Sequence, residues 1–269
     1  MRGDLTTVMP DFHLADPRAH AGIALQGVTK TFQGKRVLDE LDFTIARGET
    51  IVIIGRSGEG KSVLLKHIVR LLEPQQGKIW VDGTEVTALC RSDLFELRKR
   101  FGMLFQMAAL FDSLTISENV GLGLTEHTRL ATAEIRDRAS ECLQMVGLVD
   151  VEEKLPAELS GGMRKRVGLA RAIVMQPDYI LYDEPTTGLD PITADAINDL
   201  ILKLQTELQV TSVVVTHDLA SAFKIADRIA MLNQGKIIYA AGVEDTRRTD
   251  NPYVRQFIEG RAQGPLGAF

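Results

Sequence analysis

Short apolar runs separated by turn residues recur along the chain and predict β-strands. Two early runs alternate apolar and polar positions around a turn at Gln33 and Gly34, as the half-buried strands of an antiparallel pair do. Residues 51–54 are wholly apolar, which is typical of a parallel strand buried on both faces. The predicted strands cover residues 23–28, 36–45, 51–54, 78–81, 101–105, 179–182, 212–215, 229–232 and 236–239.

Apolar residues at helical spacing predict helices between these strands. Strands and helices alternate in the second half of the chain, which indicates a parallel sheet covered on both faces. Residues from about 107 to 174 are instead rich in helical pattern, and we expect an α-helical subdomain inserted into the sheet. The predicted fold class is therefore α/β, with a mostly parallel sheet, an antiparallel β subdomain and this insertion. The helices expected around the sheet cover residues 62–72, 193–208 and 219–225.

Composition sets the domain boundaries and the broad class of protein. Residues 1–21 are mixed polar and are expected to form a flexible lead-in to a domain over 22–245, with a C-terminal extension over 246–269. Hydrophobic residues make up 45% of the chain and charged residues 25%, which argues against disorder. The net charge of −5 provides no basic footprint for nucleic acid, so we expect none as a partner.

The sequence predicts neither a membrane span nor a disulfide. No run approaches the ~18 consecutive apolar residues of a spanning helix, and the start lacks the apolar core of a secretory signal. We therefore expect a cytosolic protein that meets a membrane only through a partner.

Cys90 and Cys142 are not in a CxxC pair, which favours reduced thiols over a disulfide or a metal site. The basic run over residues 98–100 is expected to be a solvated face.

Residues 55–62, with the sequence GRSGEGKS, fit the phosphate-loop pattern GxxxxGK[ST] between an apolar strand and a helical pattern. Glycines in this pattern let backbone N–H groups surround phosphates at the start of a helix. Lys61 is expected to reach the β- and γ-phosphates, and Ser62 to hold Mg²⁺. The candidate nucleotide-binding residues of this loop are Gly55, Arg56, Ser57, Gly58, Glu59, Gly60, Lys61 and Ser62.

The apolar strand predicted over residues 179–182 ends in two carboxylates, Asp183 and Glu184. Buried strands rarely end in paired carboxylates without a charged partner. Asp183 suits a Mg²⁺ site facing the phosphate loop, and Glu184 points elsewhere in an extended chain, where it suits the activation of an attacking water. A solvated strand end is the alternative for this motif alone, but the phosphate loop in the same chain favours the site.

Ser160, Gly161 and Gly162 precede a second helical run. Ser160 suits the N-cap position, and two glycines leave the helix end bare, so a second anion site is predicted. Taken alone, the three residues also fit a flexible loop.

Residues 159–163, LSGGM, resemble the signature of the ABC ATPases, which is usually LSGGQ. Met163 departs from that pattern, and we expect it to alter little. Further motifs of the family occur in the family's order between about residues 23 and 245. They are an aromatic for adenine stacking at Phe32, a Q-loop at Gln106, a D-loop ending at Asp190 and a switch histidine at His217.

The resemblance implies a head-to-tail dimer in which ATP lies between the phosphate loop of one copy and the signature of the other. Ser160, Gly161 and Gly162 would then cap the γ-phosphate across the interface. Glu184 would be the general base and His217 would contact the γ-phosphate. Gln106 would sense Mg²⁺ and the attacking water. Asp190 is carried over as part of the nucleotide site.

Three segments narrow the class within the family. Residues 121–128, 159–166 and 253–260 are similar to the ATPase of Mla-type phospholipid transporters, which work with a lipid-binding protein of the MCE class. The implied partners are a second copy, a multi-span permease and an MCE-type subunit, at the cytoplasmic face of a bacterial inner membrane. An importer of polar solutes such as amino acids is the alternative cargo class.

Two other classes are less favoured. An ABC protein acting on ribosomes or DNA would carry two cassettes or long coiled coils, and this chain has one cassette and no sustained heptads. A nucleotide-binding scaffold without catalysis is disfavoured by Glu184 and His217.

In the family, a short permease helix docks beside the segment over residues 106–128, and the resemblance implies the same contact here. The polar residues 125–128 look exposed and lie next to Leu122 and Leu124, which are expected to be apolar anchors in a mixed patch that suits reversible docking. A plain surface loop is the alternative.

Overall fold

The alternating runs at the start of the chain form an antiparallel sheet of four strands, in the order β2-β1-β4-β5. The structure is a computed structural model that describes residues 16, 19 and 21–267, so the predicted lead-in lies almost wholly outside the described residues. Ile23 in β1 pairs with Ile45 in β2, and both side chains are fully buried. The strands are β1 (Gly22–Phe32), β2 (Lys35–Ala46), β4 (Gln76–Val81) and β5 (Thr84–Glu85).

A second sheet of six strands, in the order β10-β9-β3-β8-β7-β6, forms the centre of the molecule. Five of these strands are parallel, and β10 runs antiparallel to β9. The mostly parallel sheet and the α/β class are confirmed. The strands are β3 (Thr50–Ile54), β6 (Phe101–Leu104), β7 (Tyr179–Asp183), β8 (Thr211–Val215), β9 (Arg228–Asn233) and β10 (Lys236–Gly242).

The apolar run in β3 is explained by the two cores on either side of this sheet. Ile51 and Ile53 point into a core shared with the antiparallel sheet. Val52 and Ile54 point into a larger core shared with the helices on the opposite face. Because successive side chains of a strand alternate between faces, a strand with a core on each side has no polar position.

Helices cover the larger core, and three of them, α3, α4 and α5, contact one another between β6 and β7 of the sequence. Within the described part of the chain, no helix has both the length and the apolar character needed to cross a bilayer. The helices are α1 (Lys61–Ile68), α2 (Arg91–Arg98), α3 (Ile116–His127), α4 (Thr132–Met145), α5 (Gly161–Ile173), α6 (Pro191–Leu208), α7 (Leu219–Ile225), α8 (Val243–Arg248) and α9 (Pro252–Ile258).

Two local predictions are wrong. The helix expected over residues 62–72 ends at Ile68, because Arg70 adopts a left-handed φ of 50° and the chain turns there. Leu124, expected to be an apolar docking anchor, is only 2% exposed and belongs to the larger core. It lies on α3, a helix whose N-terminus is fixed by a reciprocal capping box between Thr115 and Glu118.

A charged network joins the edges of the two sheets. Asp82, after β4, accepts hydrogen bonds from the Tyr179 hydroxyl (2.7 Å), Arg47 (3.0 Å) and Arg100 (2.5 Å). The same two arginines also bind Asp178, at 2.9 and 2.6 Å. Arg100 is therefore a cross-link between sheets, and the expectation that residues 98–100 form only a solvated face is wrong at this position.

Candidate active site

The phosphate-loop pattern connects β3 to α1, and close approaches by neighbouring elements require glycine at two of its positions. Gly60 has a φ of 102°, and a Cβ there would lie 2.8 Å from Val37. A Cβ at Gly55 would lie 2.5 Å from the Leu232 carbonyl oxygen. No side chain caps the N-terminus of α1, so its first amides are open to an anion.

Two side chains of the loop are tied to other elements. The Arg56 guanidinium donates to the carbonyl of Leu266 at 2.6 Å, and the Glu59 carboxylate accepts from the backbone N–H of Gln234 at 2.6 Å. These contacts anchor the loop to the C-terminal segment and to the β9–β10 turn.

Lys61 is the buried cation of the loop. Its Nζ donates to the carbonyls of Gly55 (2.7 Å) and Arg56 (3.1 Å) and lies 3.9 Å from Oε1 of Glu184. Burial lowers the pKa of the Lys61 ammonium, and the carboxylates of Glu184 and Asp183 act in the opposite direction. A phosphate group would replace the two carbonyl contacts with a charged partner.

Asp183 and Ser62 meet at the carboxyl end of the central sheet. The Ser62 hydroxyl donates to Oδ1 of Asp183 at 2.6 Å, although the two residues are 121 positions apart. β7 ends at Asp183 beside β8, and β8 pairs with β3, which leads into the phosphate loop. A hydroxyl and a carboxylate side by side are oxygen donors of the kind that Mg²⁺ takes, with water and phosphate completing its shell.

Glu184 turns sharply out of the strand, with a left-handed φ of 51°. Its side chain is mostly buried, at 11% exposure. Oε2 accepts hydrogen bonds from the hydroxyls of Thr187 (3.0 Å) and Thr216 (3.3 Å) and lies 2.9 Å from Nδ1 of His217. Three donors therefore hold one carboxylate oxygen, while the other faces Lys61.

Sequence reasoning missed Lys165, a buried lysine in the second turn of α5. Its Nζ donates to the backbone carbonyls of Gln106 and of Glu184, the latter at 3.1 Å. Its contacts are 59 and 19 positions away along the chain, so only its place in the basic run over residues 164–166 marked it in the sequence.

A cleft of about 760 Å³ joins the phosphate loop to Glu184 and His217, at the ends of β7 and β8. Val37, Leu219 and Phe257 also line it, and none of these three was predicted. Phe257 belongs to α9 in the expected C-terminal extension. The predicted site residues that line the cleft are Arg56, Ser57, Gly58, Gly60, Lys61, Ser62, Gln106, Glu184 and His217.

Ser160, Gly161 and Gly162 do not line this cleft within the described part of the chain. Ser160 caps α5 as predicted, accepting from the Met163 amide at 3.3 Å. Gly162 lies so close to α6 that a Cβ would be 2.6 Å from Thr193. The helix end is therefore formed as predicted, but its residues are not part of the cleft beside the phosphate loop of their own chain.

Phe32 and Asp190 also lie outside the lining of the cleft. The Phe32 ring is 40% exposed at the β1–β2 turn, and the Lys30 ammonium lies 5.3 Å from its centroid. Asp190 caps α6 by accepting from the amides of Ile192 (3.1 Å) and Thr193 (3.0 Å).

Residues 38–187 match the family model described as ABC transporter. Among similar curated proteins is the probable ribonucleotide transport ATP-binding protein mkl of Mycobacterium leprae, which is 42% identical over 94% of this chain and 73% of that protein. The intermembrane phospholipid transport ATP-binding protein MlaF of Escherichia coli K12 is 39% identical over 91% of each chain.

Two solved structures share the fold over most of the chain. A dimeric ATP-binding cassette in a post-hydrolysis state, bound to ADP and Pi, has a TM-score of 0.77 and 36% identity, covering 82% of this chain and 98% of its own. cbiO1 from Clostridium perfringens, part of an ABC transporter complex, has a TM-score of 0.78 and 28% identity, covering 90% and 96%.

Proposed function

This chain belongs to the ABC transporter family and is one of its ATP-hydrolysing cassettes, and we propose that it powers a phospholipid transporter at the cytoplasmic face of a bacterial inner membrane. The resemblance to ABC ATPases drawn from the motifs is confirmed. Cassettes of this family form dimers and work with membrane-spanning permease components. The proposed partners of this chain are accordingly a second copy, a permease and an MCE-type lipid-binding subunit.

The observation that carries the phospholipid proposal is the end-to-end similarity to MlaF, which extends over 91% of both proteins. The similarity to mkl covers 73% of that longer protein, and its name gives ribonucleotide transport as the second candidate cargo. The amino-acid-like importer has no support from these relatives.

Catalysis would begin with the phosphates of ATP on the amides of residues 55–62 and on Lys61. Ser62 and Asp183, which are already in contact, would hold Mg²⁺, with Gln106 as a further oxygen donor. The ion would supply positive charge to the β- and γ-phosphate oxygens. Phosphoryl transfer depends mainly on such positioning and charge neutralisation, and the buried ammonium of Lys61 would contribute to both.

Glu184 would accept a proton from the water that attacks the γ-phosphorus, with ADP as the leaving group. Its Oε2 is held by three donors, so Oε1 would face the water without rotating. His217 would both orient Glu184 and contact the γ-phosphate, since its side chain is 58% exposed toward the cleft.

The second copy would supply Ser160, Gly161 and Gly162 to the γ-phosphate. Support comes from the exposure of this helix end and from its absence among the residues lining the cleft of its own chain. Phe32 would stack on adenine with its exposed face, and Asp190 would lie at the dimer interface.

Permease docking at residues 106–128 remains part of the proposal with different anchors. Met107 (85% exposed) and Phe111 (53%) are apolar and accessible, whereas Leu124 is in the core. Phe95 of α2 is 45% exposed and contacts the ring of His127, so it adds a further accessible apolar side chain beside this segment.

Reconstitution tests the cargo. The chain would be purified from membranes with its bound partners and inserted into vesicles containing a fluorescent phospholipid. ATP-dependent phospholipid movement that is absent with Glu184→Gln supports the proposal. Movement of a labelled ribonucleotide without phospholipid movement would support the second candidate instead.

A further inference from the structure

The signature helix α5 holds the Q-loop of its own chain through two basic side chains. Lys165 donates to the Gln106 carbonyl, and Arg171 donates to the carbonyls of Ala108 (2.6 Å) and Ala109 (2.7 Å). Three carbonyls within four consecutive residues are therefore bound by one helix.

The loop held in this way is strained. Ala108 and Ala109 adopt left-handed φ values of 59° and 48°, which residues with a Cβ rarely do. Conformations of this kind persist only where surrounding contacts enforce them. The Lys165 and Arg171 bonds are among these contacts, and they tie the loop conformation to the position of α5.

The helix α5 packs directly against β6, the strand that leads into the Q-loop. A Cβ at Gly168 of α5 would lie 2.6 Å from Leu104 and 3.4 Å from Ala108. A Cβ at Gly102 of β6 would lie 2.2 Å from the Ala172 carbonyl. A shift of α5 along its axis would therefore be passed to the loop rather than absorbed by packing.

Lys165 adds a second connection, to the catalytic carboxylate. Its side chain is buried, at 5% exposure, and it also donates to the Glu184 carbonyl at 3.1 Å. Glu184 has a left-handed backbone at φ 51°, so this bond is made to a residue whose conformation depends on surrounding contacts. One ammonium group thus connects α5, the Q-loop and the residue proposed as general base.

We propose that Lys165 is a positioning residue that couples the two ATP sites of the dimer. The N-terminus of α5 at Ser160 serves the nucleotide of the second copy, and Lys165, five residues further on, sets Gln106 and Glu184 in the site of its own chain. Nucleotide capture at one site would then align the catalytic groups of the other. The inference rests on the proposed shared-site function.

Kinetics of the full-length protein test this coupling. Lys165→Met keeps the length and apolar stem but removes the donors, and Lys165→Gln restores amide donors without charge. Lys203→Met is the matched control, because its ammonium also binds a backbone carbonyl, that of Met145 at 3.0 Å, but from an exposed position on α6. The measurements are kcat, KM and Hill coefficient for ATP hydrolysis, equilibrium ATP affinity and the thermal midpoint.

We expect Lys165→Met to lower kcat at least tenfold and to reduce the Hill coefficient to 1, with ATP affinity within threefold of wild type. Lys165→Gln should recover part of both losses, and Lys203→Met should match wild type. Wild-type kcat and Hill coefficient in Lys165→Met would overturn the inference, as would a wild-type Hill coefficient of 1. If Lys165→Gln lowers kcat as much as Lys165→Met does, the lysine has only a structural role and the inference is overturned.

Arg171→Met tests the coupling through α5 if Lys165→Met does not fold. Arg171 is only partly buried, and its replacement removes the hydrogen bonds to the carbonyls of Ala108 and Ala109. A lower Hill coefficient at unchanged ATP affinity supports coupling through α5, and an unchanged Hill coefficient overturns it. A wild-type chain that binds ATP without hydrolysing it would instead refute the proposed function.

Discussion

Glu184→Gln separates chemistry from nucleotide binding. The amide oxygen of glutamine can take the place of Oε2 and keep the three donors from Thr187, Thr216 and His217. The amide cannot accept a proton from water, so general-base catalysis is lost. Such catalysis typically contributes 10²–10⁴-fold, or about 2.7–5.4 kcal/mol at 1.36 kcal/mol per tenfold.

ATP binding should survive this change. Lys61 and the amides of residues 55–62 remain available to the phosphates, and Ser62 keeps its bond to Asp183. Removing a carboxylate charge close to the phosphates also reduces repulsion, so we expect equal or tighter ATP affinity and a dimer that accumulates with ATP.

The assay is steady-state ATP hydrolysis combined with molecular-mass measurement, with and without ATP. Glu207→Gln, an exposed glutamate on α6, controls for the loss of one charge. Hydrolysis above a tenth of the wild-type rate in Glu184→Gln would refute its role as base. An unchanged monomer fraction with ATP would refute the shared site.

Three further perturbations probe the shared site and the fold. An equal mixture of Lys61→Ala and Ser160→Arg should regain ATPase activity that each variant lacks, because one site of a mixed dimer carries neither change, whereas independent sites would leave the mixture inactive. Leu124→Ala should lower the free energy of unfolding by about 2–5 kcal/mol in a denaturant titration, and Leu122→Ala, at a partly buried position, by less. Asp82→Asn should cost about 1–3 kcal/mol because three side-chain donors lose a charged acceptor. Burial acts to raise the pKa of Asp82, but hydrogen bonds from Tyr179 and Arg100 lower it overall, so this loss should appear above about pH 4 and fade as the pH falls through the lowered pKa; a loss independent of pH would argue against the charge.

The parts of the fold that sequence could predict are those with a local physical cause. The apolar run in β3 follows from burial of the strand on two faces. The glycines of the phosphate loop follow from close approaches of other atoms at Gly55 and Gly60. The N-cap at Ser160 was likewise predictable, because a cap is made with its own helix.

The wrong prediction for Leu124 has two causes, a contact distant in sequence and a local signal that was overlooked. The polar residues 125–128 indicated a surface segment, but α4 packs closely on the same helix at Gly121, where a Cβ would lie 2.6 Å from Ile135. The Thr115 and Glu118 capping box was a readable signal for this helix that the prediction did not use.

Lys165 and Phe257 mark the limit of local pattern. The partners of Lys165 are backbone carbonyl groups, which every residue has. The residue types at positions 106 and 184 therefore could not indicate these contacts. Phe257 reaches the cleft only because α9 returns to the phosphate loop at the end of the chain.

The position of β3 in its sheet has a consequence for synthesis of the protein on the ribosome. Its two neighbours, β8 and β9, begin at Thr211 and Arg228, so about 160 residues must be added after Ile54 before either edge of β3 can pair. At roughly 5–20 residues per second, this takes about 8–30 s. During that interval an apolar strand with unpaired edges is open to association with other nascent chains. We expect the growing chain to depend on chaperone binding until β8 has left the exit tunnel.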